Sequence, residues 1–224
     1  MYKYEMHQHT SPCSHCARCD PERLVYALRE DGFDGVVITD HFFHGNSGID
    51  RALPFEEFCS YYIENYKKAK KIGDEIGVDV LFGLEEHIGE GKEVLLYGIT
   101  PEILLSDPAF CSGRLDLIYP LCQKNGVVVI QAHPFRHRDY IPTPDKRVPQ
   151  ELLDGYEIFN ASNPPQDNEQ AISAYSGSGK ILVAGSDCHR EHFGGIRAGI
   201  CTKKLIGTEE NLARVLKSGE FQLM

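Results

Sequence analysis

The sequence predicts an α/β barrel, on three observations. Eight short runs rich in β-branched and aromatic residues recur along the chain, at residues 2–6, 35–39, 78–83, 94–99, 127–131, 156–159, 181–184 and 198–201. Helical segments lie between several of them, and strand followed by helix, repeated, implies parallel strands. Nearly every run also ends in a histidine, carboxylate or amide, and a parallel barrel gathers all such ends on one face.

The elements carry their own signals. The first helix opens at Asp20-Pro21-Glu22, where Asp20 can cap and Pro21 can take the first turn, and Leu24, Leu28 and the Gly32 stop complete it. A longer helix over residues 54–76, rich in Glu, Lys and Tyr, ends at Gly77 and should keep its charged face in water. Residues 115–124, 167–175 and 209–217 fit further helices, with Pro120 placed to break or kink the first of these. Residues 134–149, with four prolines and many charges, read as a long ordered loop over one face, a common form for a functional lid. No Gly/Ser or Pro-rich linker interrupts the chain, so residues 1–224 are expected to form a single domain.

Composition narrows the function. At 224 residues and 42% hydrophobic content the chain can bury a sizeable core. A net charge of -10 leaves no basic stripe to track a phosphate backbone, which disfavours nucleic acid except as a nucleotide or a short end. The apolar runs are strand-sized and no basic-then-apolar leader is visible, so a soluble, cytoplasmic protein is expected, with no membrane partner.

The eight cysteines then read as reduced thiols, with Cys59, Cys111, Cys122 and Cys201 as small buried hydrophobes. Cys13, Cys16 and Cys19 have iron-sulfur spacing, but Arg23 stands where a fourth ligand belongs. A zinc knuckle including His15 is sterically tight. A cysteine-rich loop beside the barrel mouth is the preferred reading.

The residues at the run ends are His7 and His9, Asp40 and His41, Glu85, Glu86 and His87, His133, Asn160, and Asp187 and His189. His7/His9 and Asp187/His189 share a spacing of two, which puts both side chains on one side of an extended strand. Imidazoles mixed with carboxylates suit Zn, Mn or Fe, whereas Mg or Ca would call for mostly oxygen. His44, His87, His137 and His192 lack a decisive placement and read as ordinary hydrogen-bonded histidines. Cys188 would point away from its neighbours into packing. Arg136, just past His133, is the leading phosphate clamp, because a guanidinium grips phosphate in a fork. Arg138 and Arg197 are weaker candidates, and Asn160 is a further substrate-binding candidate.

The segments His7-Gln8-His9-Thr10, Ile38-Thr39-Asp40-His41, Gly83-Leu84-Glu85, Ala132-His133-Pro134 and Gly185-Ser186-Asp187-Cys188-His189 resemble the motifs of the polymerase and histidinol phosphatase (PHP) superfamily of phosphoesterases. They occur in the family's order, followed by a Gly194/Gly195 tail and a terminal helix. The resemblance implies a distorted TIM-like barrel of seven strand-helix units, (β/α)7, holding two or three divalent ions. On the matching positions one ion takes His7, His9, Glu85 and Asp187, and Glu85 bridges to a second that also binds His133. A third takes His15, His41 and His189, with Asp40 orienting an imidazole rather than ligating.

Glu93 stands nearest a position where the family often has histidine, so Glu93 or His87 would serve the second ion, and Cys13 could compete with His15. Glu85, Asp187 and His189 would be the catalytic members. The implied activity is hydrolysis of a small-molecule phosphomonoester, histidinol phosphate among the candidates. A nucleotide phosphodiesterase or exonuclease and a non-catalytic metal-binding module are the alternatives.

Overall fold

The computed structural model describes residues 1–191 and 198–224. Strands β1 (Tyr2–Gln8), β2 (Gly35–Ile38) and β3 (Asp79–His87) pair in parallel. β4 (Glu93–Tyr97) returns antiparallel on β3, and β5 (Val128–Gln131) is antiparallel to β4. β6 (Gly155–Asn160) and β7 (Ile181–Gly185) resume parallel pairing, while β8 (Ile200–Thr202) and β9 (Phe221–Leu223) add two antiparallel strands beside β1. The sheet order is β7-β6-β5-β4-β3-β2-β1-β8-β9.

The all-parallel expectation therefore fails around β4. β3 does not stop at Gly83 but runs on to His87, leaving only residues 88–92 before β4. A parallel crossover needs a dozen or more residues, so so short a connection can only make a hairpin. This places Glu93, the first residue of β4, directly opposite His87. β9 and the short helix α3 (Pro101–Leu105) carry too few residues to show a period and were not anticipated.

The sheet nearly closes on itself. Residues 2–4 of β1 pair with β8, but the other end of the same edge is met by the chain leaving β7. There the Asp187 N–H donates to the His7 carbonyl at 2.8 Å and the His9 N–H donates to the Cys188 carbonyl at 3.0 Å.

Alternation along the strands divides the apolar residues into two cores. Val36, Ile38, Val80, Phe82, Val94, Leu96 and Val129 pack outward under α1 (Pro21–Glu30), α2 (Phe55–Ile76), α4 (Leu115–Lys124) and α5 (Pro165–Tyr175). Val37, Leu81, Leu95, Tyr97, Val128 and Ile130 fill the barrel with Tyr4 and Met6, joined by Leu212, Ala213 and Leu216 of α6 (Glu209–Ser218).

The helix signals act as read. The Asp20 carboxylate accepts from the N–H groups of Glu22 and Arg23, and α2 ends at Gly77. Pro120 forfeits one backbone bond, yet α4 runs through it to Lys124. The loop over residues 134–149 is pinned to the β3–β4 turn by Lys92, which donates to the Pro144 carbonyl at 2.9 Å, and by the Lys146–Glu90 ion pair at 2.7 Å. Among the described residues no helix is long and apolar enough to cross a membrane.

α6 approaches the barrel closely at Gly98, whose φ is +83° and where an added Cβ would lie 2.6 Å from the Ala213 Cβ. Gly98→Ala combines overpacking with a left-handed backbone, and should cost about 1–3 kcal/mol. The check is urea unfolding, with the midpoint lowered and the m-value unchanged.

Candidate metal centre

The inward rows of the barrel end in acids. On β3 the row Leu81, Gly83 reaches Glu85, and on β4 the row Tyr97, Leu95 reaches Glu93. Bulges shift the register of β1 against β2 between Glu5 and Gln8, and of β6 against β7 between Glu157 and Phe159. Bulges re-aim side chains, and these two bracket His7 and lie at Glu157. His133 (φ +29°) and Asp187 (φ +53°) hold positive φ, a backbone strain that non-glycine residues carry mainly where a site requires it.

Partners of the outer ring nitrogens fix the imidazole tautomers. His7 Nδ1 donates to Glu157 Oε1 at 2.9 Å. Ser14 Oγ gives its proton to Asp40 Oδ1 at 2.8 Å, so at 3.0 Å it must accept from His9 Nδ1. His189 Nδ1 donates to the Asp187 carbonyl at 3.0 Å. Each of these rings therefore turns Nε2 into the centre, as metal-binding histidines do when a second partner holds the other nitrogen.

The inward atoms converge. His7 Nε2 and His9 Nε2 lie 3.1 Å apart, His7 Nε2 is 3.2 Å from Glu85 Oε1, and His9 Nε2 is 3.1 Å from Asp187 Oδ1. Ligands at zinc-like distances around a tetrahedral ion stand about 3.4 Å from one another. Beside them His133 Nε2 lies 3.0 Å from Glu85 Oε1 and 3.3 Å from Glu93 Oε2. His41 Nδ1 and Glu85 Oε2 are 2.9 Å apart, buried, yet in no hydrogen-bonding geometry. A cation between them would satisfy both atoms, so the donor set fits divalent ions. Three groups of converging ligand atoms result: His7, His9 and Glu85; His41, Glu85 and Glu93; and His9, His41 and His189.

The charges respond to this crowding. Burial opposes ionisation of His7, but Glu157, Asp187 and Glu85 outweigh it and hold the ring well above the usual imidazole range. Burial, with His41 and His189, holds His9 well below that range. Burial also works against the Asp187 and Glu85 carboxylates, but Arg136 with His7 at the first, and His7 with His133 and His41 at the second, keep both well below the ordinary carboxylate range. At Cys16, burial is outweighed by interactions with His189 and His41, which lower the thiol to about 6.

Of the residues singled out in the sequence, His7, His9, His41, Glu85, Glu93, His133, Asp187 and His189 meet at this rim. His15 does not join them; its ring is exposed, and its backbone N–H donates to the Asn46 carbonyl. Asp40 stands behind the site, accepting from Thr10, Ser14 and Asn65. His87 accepts from the Gly91 N–H at 3.1 Å within the hairpin turn. Cys13 and Cys19 are buried in the outer apolar core, and Cys188 is buried as expected.

Arg136 is buried, with Nη2 2.5 Å from Asp187 Oδ2 and 3.1 Å from Asn160 Oδ1, and Nε 2.7 Å from Asn163 Oδ1. Asn160 also donates to Glu157 Oε2 at 2.9 Å. Arg197, His192 and the Gly194/Gly195 tail lie outside the described residues. Sequence reading passed over Glu157 and Ser14. A carboxylate inside an otherwise apolar β-run was a signal for Glu157; nothing local marks Ser14.

No family model and no curated protein matches the chain. Solved structures do share its fold. A candidate metal-dependent phosphoesterase from Bifidobacterium adolescentis is 16% identical with a TM-score of 0.57, over 97% of this chain and 96% of that one. A two-domain protein from Bacteroides vulgatus, containing a predicted PHP-like metal-dependent phosphoesterase, is 15% identical with a TM-score of 0.64, over 100% of this chain and 64% of that one. The lesion-specific endonuclease Q of Pyrococcus furiosus is 14% identical with a TM-score of 0.65, over 100% of this chain and 57% of that one. The fold is thus the PHP-like distorted barrel, and this chain spans little more than half of the endonuclease.

Two outcomes are expected. Ser14→Ala removes the acceptor that orients His9 and should weaken metal binding about 10–100-fold with the fold intact, read by calorimetric titration. Because the raised His7 proton must leave before an ion can enter, loading should release protons, and affinity should fall as the pH drops. Titration in buffers of different ionisation enthalpy measures that release; a buffer-independent heat would contradict it.

Proposed function

We propose that the chain is a metal-dependent phosphoesterase of the PHP superfamily, acting on a small phosphomonoester. The observation that carries the reading is the convergence of imidazole nitrogens on Glu85, Glu93 and Asp187 at one end of the barrel. Two or three ions of the Zn, Mn or Fe class suit these donors. When bound, such ions lower the pKa of a water toward roughly 7 and offset phosphoryl charge.

The chain's own residues supply the rest. Glu85 presents one oxygen toward His7 and His133 and the other toward His9 and His41, so it is placed to bridge two ions. Arg136 grips Oδ2 of Asp187 and leaves Oδ1 facing His9. Glu157 holds the Nδ1 proton on His7, which keeps Nε2 free to coordinate. His189 has 28% of its side chain exposed, the most open of the five converging imidazoles, and faces an incoming substrate. Arg136 and Asn160 flank Asp187 and would steady the phosphoryl group from that side.

The net charge of -10 supports a small ester over a polyanionic strand. The likeness to endonuclease Q favours the second reading, a phosphodiesterase acting on nucleic acid or nucleotides.

Elemental analysis of the purified protein, followed by assay with p-nitrophenyl phosphate and bis(p-nitrophenyl) phosphate under Zn, Mn and Fe, tests both readings. Bound ions and faster monoester release are expected, and Asp187→Asn should lower kcat/KM at least about 100-fold. Preference for the diester would select the second reading. Phosphate release that survives His9→Ala combined with Asp187→Ala would remove this site from consideration.

A further inference from the structure

We infer that Asp167 and Asn168, adjacent in the first turn of α5, are positioning residues that set Arg136 and Asn160 against the Asp187 carboxylate. The inference rests on the phosphoesterase reading above and names the groups that stand behind its phosphate-binding side.

Both residues are polar yet buried, at 4% and 6% exposure. Burying such groups is unfavourable unless hydrogen bonds satisfy them, so their partners show what they hold. Asp167 Oδ2 accepts from the His137 N–H and Oδ1 accepts from His137 Nδ1, each at 3.1 Å. One carboxylate thus fixes both the backbone and the ring of the residue that follows Arg136. Asn168 Oδ1 accepts from the Asn160 N–H at 3.0 Å, and Asn168 Nδ2 donates to the Asn160 carbonyl at 3.0 Å. Its amide closes on the main chain of Asn160 in both directions, as a neighbouring strand would.

The two held residues meet at one point. Arg136 Nη2 bonds Asn160 Oδ1 at 3.1 Å and Asp187 Oδ2 at 2.5 Å. Its Nε bonds Asn163 Oδ1 at 2.7 Å, and Asn163 Nδ2 in turn donates to Asn168 Oδ1 at 3.4 Å. Arg138 ties the same segments again through the Ser162 carbonyl at 3.1 Å, and Ser162 Oγ donates to the Asp187 carbonyl at 3.1 Å. The helix beneath is a firm reference: Ala171 and Tyr175 lie in the outer core, and the Tyr175 ring stacks on Tyr156 of β6 at 3.6 Å. A guanidinium on a long side chain reaches one carboxylate oxygen reproducibly only when its own backbone and its neighbours are fixed. Asp167 fixes the first, and Asn168 fixes the second.

The test uses the whole chain. In the metal-free protein the Arg136 Nε–H should exchange slowly with solvent, read from its resonance by NMR. Asp167→Ala should speed that exchange at least about tenfold, whereas Asp167→Asn, which can still bond both groups of His137, should not. In the ion-loaded protein Asp167→Ala and Asn168→Asp should each lower kcat/KM for p-nitrophenyl phosphate about 10–100-fold with the same number of ions bound. The second change keeps the size of the side chain but sets an oxygen against the Asn160 carbonyl. Because Asp167 acts through Arg136, its loss should cost almost nothing further in an Arg136→Ala background. His137→Ala, at a side chain 47% exposed, should show the same non-additivity in smaller measure and serves if Asp167→Ala does not fold.

Losses that add in full in the double variants overturn the assignment, as do exchange and kcat/KM in Asp167→Ala that match wild type. Wild type that releases no phosphate under Zn, Mn or Fe overturns the phosphoesterase reading, while exchange in the metal-free chain still decides whether Asp167 positions Arg136.

Discussion

Two backbone hydrogen bonds hold the site together: Asp187 N–H to His7 C=O and His9 N–H to Cys188 C=O. They close the barrel at its mouth by joining the end of β1 to the chain leaving β7. Without them His7 and His9 would sit on an open edge, far from Asp187 and His189 in sequence and free of them in space. The closure needs a glycine. A Cβ on Gly185 would lie 2.4 Å from the His7 Cβ and 2.8 Å from Glu157 Oε1, so any side chain there would push the first strand off the seventh. The positive φ at His133 and Asp187 costs on the order of 1–3 kcal/mol at each position. Neighbouring bonds hold both in place: His133 N–H to Glu157 Oε2 at 2.9 Å, and Arg136 on the Asp187 carboxylate.

The cluster so assembled is electrostatically expensive as it stands. Glu85, Glu157 and Asp187 are buried together with His7, His9 and His133, and charges removed from water cost several kcal/mol each unless they are well paired. In the protein without ions, a proton between His7 Nε2 and His9 Nε2 relieves part of that crowding. A divalent cation would relieve more of it, since it meets both rings and two carboxylates at once. Ion binding is then coupled to folding, because the native chain offers this donor set and the unfolded chain does not.

Much of this was legible in the sequence, for physical reasons that differ from residue to residue. Strand positions came from β-rich runs, and ligands from polar residues at the ends of those runs. Both are local signals, and seven of the eight converging ligands were read from them, Glu93 entering only through the family resemblance. The hairpin between β3 and β4 was not legible, because the charged Glu85-Glu86-His87 ended the apolar run at Gly83, four residues before β3 stops. Glu93 stands where the family often has histidine, and the antiparallel return of β4 places it at the mouth. His15 turns to solvent although the motif offers it as a ligand, and the loop's hydrogen bonds to residues 46 and 189 are what fix the chain there. Such long-range bonds leave no trace in a local pattern. Nor could spacing show that Arg136 is committed to Asp187, since its partners come from β6 and from beyond β7.

That commitment bears on how an acidic protein would recognise an anionic substrate. The mouth gathers Glu85, Glu93, Glu157 and Asp187, so its own field attracts cations and repels phosphate. Arg136 cannot reverse this alone, with Nη2 on Asp187 and Asn160 and Nε on Asn163. On the proposed reading, ions would precede substrate, and the local charge they bring would outweigh the diffuse net charge of the chain. Once they are in place, generic attraction for phosphate is supplied, and discrimination between esters falls to the groups around the mouth. The loop over residues 134–149 is the best placed of these. It is pinned at Lys92 and Glu90 and leaves Tyr140 61% exposed. On the proposed reading, an exposed aromatic ring on this loop would select by the shape of the group that carries the phosphate, whereas the centre would need only the phosphate itself.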